Sequence, residues 1–287
     1  MKPIKSIIIL LIIAVTSFSC TSDSTNEVID FVDLEATVKT DVSYGNDEFQ
    51  TYDIYLPAHR DSDTKTLILV HGGGWTSGDK KDMNTFIEFI QKDLPDLAIL
   101  NMNYRLVDET TEAYPMQIND ITAVVNHFNA NLEEYQISKD FGFVGVSAGA
   151  HLAMLWSYAF DDTQQTKMVG SIVGPTNFTD PAYLENVNFT TVNLLEQLYG
   201  LELTTEFLEK ISPYHQITEL APPTILFYGG KDPLIPTSQG DLLQSKLEAL
   251  GIMHEYTLYP EAGHGWEGLE LLDTWSKLKA FIGANLE

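Results

Sequence analysis

Short runs of consecutive apolar residues alternate along this chain with longer stretches in which apolar positions recur every three or four residues. The first kind reads as buried strand and the second as amphipathic helix. Residues 66–70 (TLILV) are such a strand, and a helix pattern follows near 83–92. Residues 97–104 predict the next strand. From 116 to 131 the apolar positions Ile118, Ile121, Val124, Val125 and Phe128 keep helical spacing, with Pro115 placed to start the helix. Residues 141–155 (FGFVGVSAGAHLAML) run from strand through a sharp turn into helix. Further strands are predicted at 168–173, 224–228 and 255–259, with helices at 238–250, ended by Gly251, and at 269–282. Ahead of this series, runs at 34–42 and 49–56 flank Tyr44-Gly45-Asn46-Asp47 and predict an antiparallel hairpin. Alternating short strands and helices predict a mostly parallel central sheet with helices on both faces, an α/β class. Residues 174 to about 213 break the rhythm, with helix-like pieces near 192–199 and 204–211, and predict a small cap insertion. In such sheets ligands sit beyond the carboxyl ends of the strands, so the exit loops are the place to look for chemistry.

Composition narrows the partners. Sixteen Lys and Arg against 41 Asp and Glu give a net charge of −25, which repels a phosphate backbone and excludes nucleic acid as an expected partner. The N-terminal segment stands apart. Lys2 and Lys5 precede an apolar run at 7–15, too short to span a bilayer, which takes about 20 residues. Thr16-Ser17-Phe18-Ser19-Cys20 follows, and Cys20 is the chain's single cysteine. The segment resembles a bacterial lipoprotein signal whose acceptor is Cys20. The expected organisation is therefore a signal peptide at 1–19, a polar tether at 20–32 and one α/β domain at 33–287 with the cap at about 174–213. The expected location is outside the cytoplasm, lipid-anchored to a cell-envelope membrane. With one cysteine no disulfide can form within the chain, so the domain must stand on its core.

Four exit loops carry candidate chemistry. Gly145-Val146-Ser147-Ala148-Gly149 places a serine at the apex of a strand-to-helix turn, with glycines where side chains would collide. His71-Gly72-Gly73-Gly74-Trp75 leaves the TLILV strand, and its bare amides suit an oxyanion. We assign that role to the N–H groups of Gly73, Gly74 and Ala148, donors worth about 3–4 kcal/mol each in a transition state. His71 is read as ordering the loop, and Trp75 either walls a pocket or packs in the core. Gly229-Gly230-Lys231-Asp232-Pro233 offers Asp232, which also suits a plain turn aspartate. Its place after a strand and before Gly263-His264-Gly265-Trp266 favours a role in orienting an imidazole. Of seven histidines, His264 alone combines an exit loop, flanking glycines and a position after Asp232. His151 is read as supporting the loops, and His127 and His254 as surface residues. The expected triad is Ser147 as nucleophile, His264 as base and Asp232 as its orienting acid.

VHGGGW, GVSAGAH, YGGKDPLIP and GHGW in this order resemble the α/β-hydrolase fold, and within it the esterase and lipase branch with an HGGG oxyanion loop. The nearest resemblance is to bacterial feruloyl- and acetylxylan-esterase-like (BD-FAE-like) lipoprotein esterases. Asn103-Tyr104-Arg105-Leu106 and the run from Pro115 to Asp120 share in it. Gly149-Ala150-His151 departs from the Gly-Gly-His usual in that group. The resemblance implies a serine carboxylesterase acting through an acyl-enzyme on acetyl or feruloyl groups of carbohydrate. Its expected partners are a small-molecule or oligosaccharide ester and, through the anchor, a membrane. It implies no metal and no organic cofactor, and a substrate pocket walled by Trp75 and Trp266. Two alternatives stay open: an arylformamidase or amidase on the same fold, and a non-catalytic binding lipoprotein.

Overall fold

A computed structural model of the chain describes residues 34–108, 113–184 and 204–286. These belong to one compact unit, Asp33–Glu287. The expected signal peptide, Cys20, the tether and the helix-like piece at 192–199 lie outside the described residues.

Eight strands form one sheet: β1 (Thr37–Ser43), β2 (Thr51–Leu56), β3 (Thr66–Val70), β4 (Ala98–Met102), β5 (Phe141–Val146), β6 (Thr166–Ile172), β7 (Thr224–Gly229) and β8 (His254–Tyr259). Their order across the sheet is β1-β2-β4-β3-β5-β6-β7-β8. The hairpin partner β2 runs antiparallel to β1 and to β4, and every later pairing is parallel. The α/β architecture is as expected from the sequence pattern.

Strand periodicity divides the core into two layers. In β3, Ile68 and Val70 join the layer under α2 (Ala113–Ala130) and α4 (Ala148–Ala159). Leu67 and Leu69 join the opposite layer with Phe86, Ile87 and Ile90 of α1 (Asn84–Asp93). The same alternation recurs in β7, where Leu226 and Tyr228 face one layer and Ile225 and Phe227 the other. A strand buried on both sides thus reads as an unbroken apolar run, which is why TLILV and TILFY stood out. The last helix, Gly268–Asn285, covers the α1 layer with Trp275, Leu278, Phe281 and Ile282. A short helix at Leu132–Tyr135 was not expected from the pattern, having a single turn. It is called α3.

The described parts of the cap hold α5 (Pro181–Leu184), α6 (Thr205–Lys210) and α7 (Pro213–Gln216). Their ends are stitched together: Phe178 N–H donates to Ser212 Oγ at 2.9 Å and Tyr214 N–H to Thr176 O at 2.9 Å. Gln239, in α8 (Ser238–Ala249), ties this base to the sheet layer, its Oε1 accepting from Thr176 N–H and Asn177 N–H at 2.8 Å each.

An ion pair between the buried Asp120 and the partly exposed Arg105 fixes the loop after β4 to α2. The Asp120 carboxylate has no exposed surface and accepts from Arg105 Nη2 at 2.5 Å, from Arg105 N–H at 2.8 Å and from Gln50 Nε2 at 2.9 Å. The salt bridge pushes the Arg105 guanidinium further up from its already high value. Removing one partner of such a pair leaves a charge stranded where water cannot reach it. Arg105→Met should therefore destabilise the fold by about 3 kcal/mol, read from the midpoint of urea unfolding at constant slope.

Candidate active site

The site begins with a backbone constraint. Ser147 sits between β5 and α4 at φ 53° and ψ −119°, a region that side chains avoid. Close packing around the turn holds it there. A Cβ on Gly145 would lie 2.6 Å from the Ala150 backbone, and one on Gly149 would strike the carbonyl oxygens of Val70 and His71. Ser147 N–H donates to Ile172 O of β6 at 2.8 Å, bracing the apex from the neighbouring strand. The extra methyl of Ala150 finds its space because residue 174 is glycine: a Cβ there would come within 2.7 Å of the Ala150 Cβ.

The hydroxyl so presented meets its partners. His264 Nε2 lies 2.9 Å from Ser147 Oγ, and His264 Nδ1 lies 2.8 Å from Asp232 Oδ2. The Asp232 side chain has no exposed surface, while that of His264 is 24% exposed. Asp232 Oδ1 accepts from the N–H groups of Leu234 at 2.8 Å and Ile235 at 3.0 Å. The carboxylate is therefore held by its own loop on one oxygen and by the imidazole on the other. That geometry fixes the tautomer: Nδ1–H donates to Asp232, leaving the Nε2 lone pair to accept from the serine hydroxyl.

The loops carrying Asp232 and His264 are zipped together. Gly230 N–H donates to Tyr259 O and Lys231 N–H to Ala262 O, both at 2.8 Å, and Lys231 pairs with Glu261. The close approach falls on Gly229, where a Cβ would strike the carbonyls of Ala262 and Gly263. A Cβ on Gly263 or Gly265 would meet open space, and Gly265 takes φ 157°, a backbone angle that suits glycine.

The glycine loop lies against the serine. A Cβ on Gly72 would come 3.2 Å from the Ser147 Cβ. Gly73 and Gly74 take φ 112° and 58°, and Trp75 follows at 64°. Among the described residues no backbone acceptor pairs with the N–H groups of Gly73, Gly74 or Ala148. Ala148 is also the first residue of α4, where the helix dipole favours negative charge. The loop is held from outside by several bonds. Ser77 Oγ donates to Gly73 O at 2.8 Å, Tyr104 Oη to His71 O at 2.9 Å, and Gln117 Nε2 to Trp75 O at 2.8 Å. His71 is wholly buried, stacked on Tyr104 at 4.3 Å, and burial lowers its pKa. It orders the loop, as its position suggested.

A cavity of about 420 Å³ opens in front of Ser147 and His264. Trp75 lines it and is also buried against His151 and Phe178, so it both walls the pocket and packs in the core. Trp266 does not line it, which corrects the expectation that it would. Its indole N–H donates to Thr274 Oγ1 of the last helix at 2.8 Å and its ring packs on Tyr259 at 4.9 Å. The cavity wall is made instead by Met83, Val146, Pro175, Leu234 and Ile235, with Asp82 among them. Among the described residues no cluster of His, Cys, Asp or Glu gathers as a metal site.

A family model, BD-FAE, matches residues 52–247. The chain belongs to the BD-FAE family. Among relatives of this BD-FAE protein is Esterase LipC of Mycobacterium tuberculosis, 26% identical over 248 residues that cover 80% of this chain and 60% of LipC. The chain spans 60%, 50% and 56% of the length of three of the curated relatives it matches, and less than half of others. Among solved structures, a truncated carbohydrate esterase from gut microbiota superposes with a TM-score of 0.70 at 20% identity, covering 88% of this chain and 97% of that one. An acetyl ester-xyloside bifunctional hydrolase from Caldicellulosiruptor lactoaceticus gives 0.69 at 14% identity, covering 88% and 97%. The shared fold is that of α/β-hydrolases.

His151 does more for this BD-FAE site than sequence position revealed. It is buried, its Nδ1 accepts from the Trp75 indole N–H at 3.2 Å, and its Nε2–H donates to Ile211 O at 2.7 Å. One ring thus joins the nucleophile's helix to the glycine loop and to the cap base. Both nitrogens are used in the neutral form, and burial pushes the pKa down to about 4. The unfolded chain takes up this proton below about 6.5, the folded protein only near 4. His151 therefore costs nothing above pH 6.5, and stability falls as pH drops through the interval from 6.5 to 4. Over that interval the loss should reach about 3 kcal/mol. In His151→Gln it should shrink to a fraction of that, as measured by urea unfolding at pH 7 and pH 4.5.

Proposed function

We propose that this protein is a serine carboxylesterase that cleaves acyl esters, acetyl or feruloyl groups on carbohydrate, through an acyl-enzyme. The observation that carries the reading is the relay of two hydrogen bonds from Ser147 through His264 to a buried Asp232.

As Ser147 Oγ bonds to the ester carbonyl carbon, its proton passes to His264 Nε2 and the carbonyl electrons move onto oxygen. The N–H groups of Gly73, Gly74 and Ala148 receive that oxyanion at the start of α4. Asp232 stays ionised and balances the imidazolium. Collapse of the intermediate breaks the bond to the alcohol oxygen, which leaves with the proton from Nε2. Water then enters, loses a proton to His264 and releases the acid, restoring the serine. The carbohydrate part of the reading draws on family membership and on the carbohydrate esterase that shares the fold.

Ser147→Ala should fold normally and lose turnover of 4-nitrophenyl acetate by roughly a million-fold. Retained turnover in the purified variant would refute the serine mechanism. Acetylated xylan should be cleaved faster than N-formylkynurenine; the opposite ranking moves the reading to an arylformamidase.

We also propose that the protein is exported and lipid-anchored through Cys20, on the strength of the charged, apolar and small-residue order of segment 1–20. Metabolic labelling with a fatty-acid analogue should mark the membrane fraction of the native protein and leave Cys20→Ala unlabelled. Equal labelling of both would refute the anchor.

A further inference from the structure

We propose that Asp82 makes the catalytic cavity a charge filter, so that uncharged esters are cleaved and esters bearing a carboxylate are rejected. The proposal rests on the hydrolase reading and specifies which substrates that site admits.

Apart from the catalytic groups, the glycines and Asp82, the described wall of the cavity is apolar: Trp75, Met83, Val146, Pro175, Leu234 and Ile235. No Lys or Arg is among the described residues that line it, and Asp82 contributes its negative charge. A substrate carboxylate entering here would shed water with no cation to replace it. It would also approach the like charge of Asp82, an exposed residue whose Oδ2 accepts from Asp79 N–H.

Asp82 is held in place by its neighbours. It belongs to a turn of 3₁₀ helix, Lys80–Met83, whose start is fixed reciprocally. Asp79 N–H donates to Asp82 Oδ2 at 3.0 Å, and Lys81 N–H to Asp79 Oδ1 at 2.9 Å. The turn is bolted to the sheet through Lys80. Its N–H donates to Asn103 Oδ1 at 2.6 Å, its carbonyl accepts from Asn101 Nδ2 at 2.7 Å, and its buried ammonium lies 2.5 Å from Asp41 and 2.6 Å from Asp53. Lys80 is committed to two aspartates, and Lys81 lines the separate polar cavity on the other side of the turn. The carboxylate reaches the catalytic cavity without a counter-ion from its own turn. One of its oxygens, Oδ2, holds the turn by accepting from Asp79 N–H.

Two matched pairs of esters test this. On the acyl side, 4-methylumbelliferyl pentanoate and mono-4-methylumbelliferyl glutarate differ only in a terminal carboxylate. On the alcohol side, acetylated methyl glucoside is compared with acetylated methyl glucuronoside. The readout is the ratio of kcat/KM within a pair, so a general loss in a variant cancels. The full-length wild type should favour the neutral member of at least one pair by tenfold or more. Asp82→Asn should narrow that preference by about three- to tenfold, the size expected of one partly solvated charge at pocket distances. Asp82→Arg should narrow it further. Equal rates on both members of each pair in the wild type, or a preference that neither substitution narrows, would overturn the filter while leaving the esterase reading intact. Absence of turnover of every neutral ester by the wild type would sink the esterase reading, and the filter with it.

Discussion

Everything at this site depends on how closely the start of α4 can approach the end of β3. At Gly149 the helix backbone touches the carbonyl oxygens of Val70 and His71, and no residue larger than glycine leaves room for that contact. The approach forces Ser147 into its unfavourable backbone angles, and it also brings the glycine loop beside the serine. The cost of such a conformation is of the order of 1–3 kcal/mol, and it persists only where the surroundings over-determine it. Here they do: Ile172 O takes the serine N–H, and two buried layers clamp the sheet on either side.

Around that contact the polar groups are arranged in two grades. Those that hold the frame are buried and fully committed: Asp120 to Arg105, Lys80 to Asp41 and Asp53, His151 to Trp75 and Ile211. Those around the nucleophile keep unused capacity: among the described residues the amides of Gly73, Gly74 and Ala148 have no backbone acceptor. Unspent donors beside a nucleophile are where an oxyanion would be received.

Local constraints in the sequence foretold much of this. The strands buried on both faces appear as unbroken apolar runs, and the elbow is written in the spacing of Gly145, Ser147 and Gly149. The order of exit loops separated His264 from six other histidines. The tight approach that sets the spacing of the two loops falls on Gly229 in the facing loop, which the sequence did not single out. What escaped the sequence was non-local. Gln117 reaches Trp75 and Arg105 from a helix face that it shares with Asp120, three residues on. His151 finds Ile211 sixty positions away, a pairing that leaves no periodic trace. Trp266 looked like a pocket wall because it follows His264 by two residues, yet its indole N–H needed a partner and found Thr274 on the last helix. Met83, Leu234 and Ile235 line the cavity from segments whose apolar residues serve the core equally well.

The central claim is that the strained turn delivers a hydroxyl activated by its imidazole. Reaction with a fluorophosphonate, followed by peptide mass spectrometry, interrogates that hydroxyl directly. The account predicts one label per chain, on Ser147, formed orders of magnitude more slowly in His264→Ala. An unlabelled protein, a label on another residue, or labelling at an unchanged rate without His264 would contradict it.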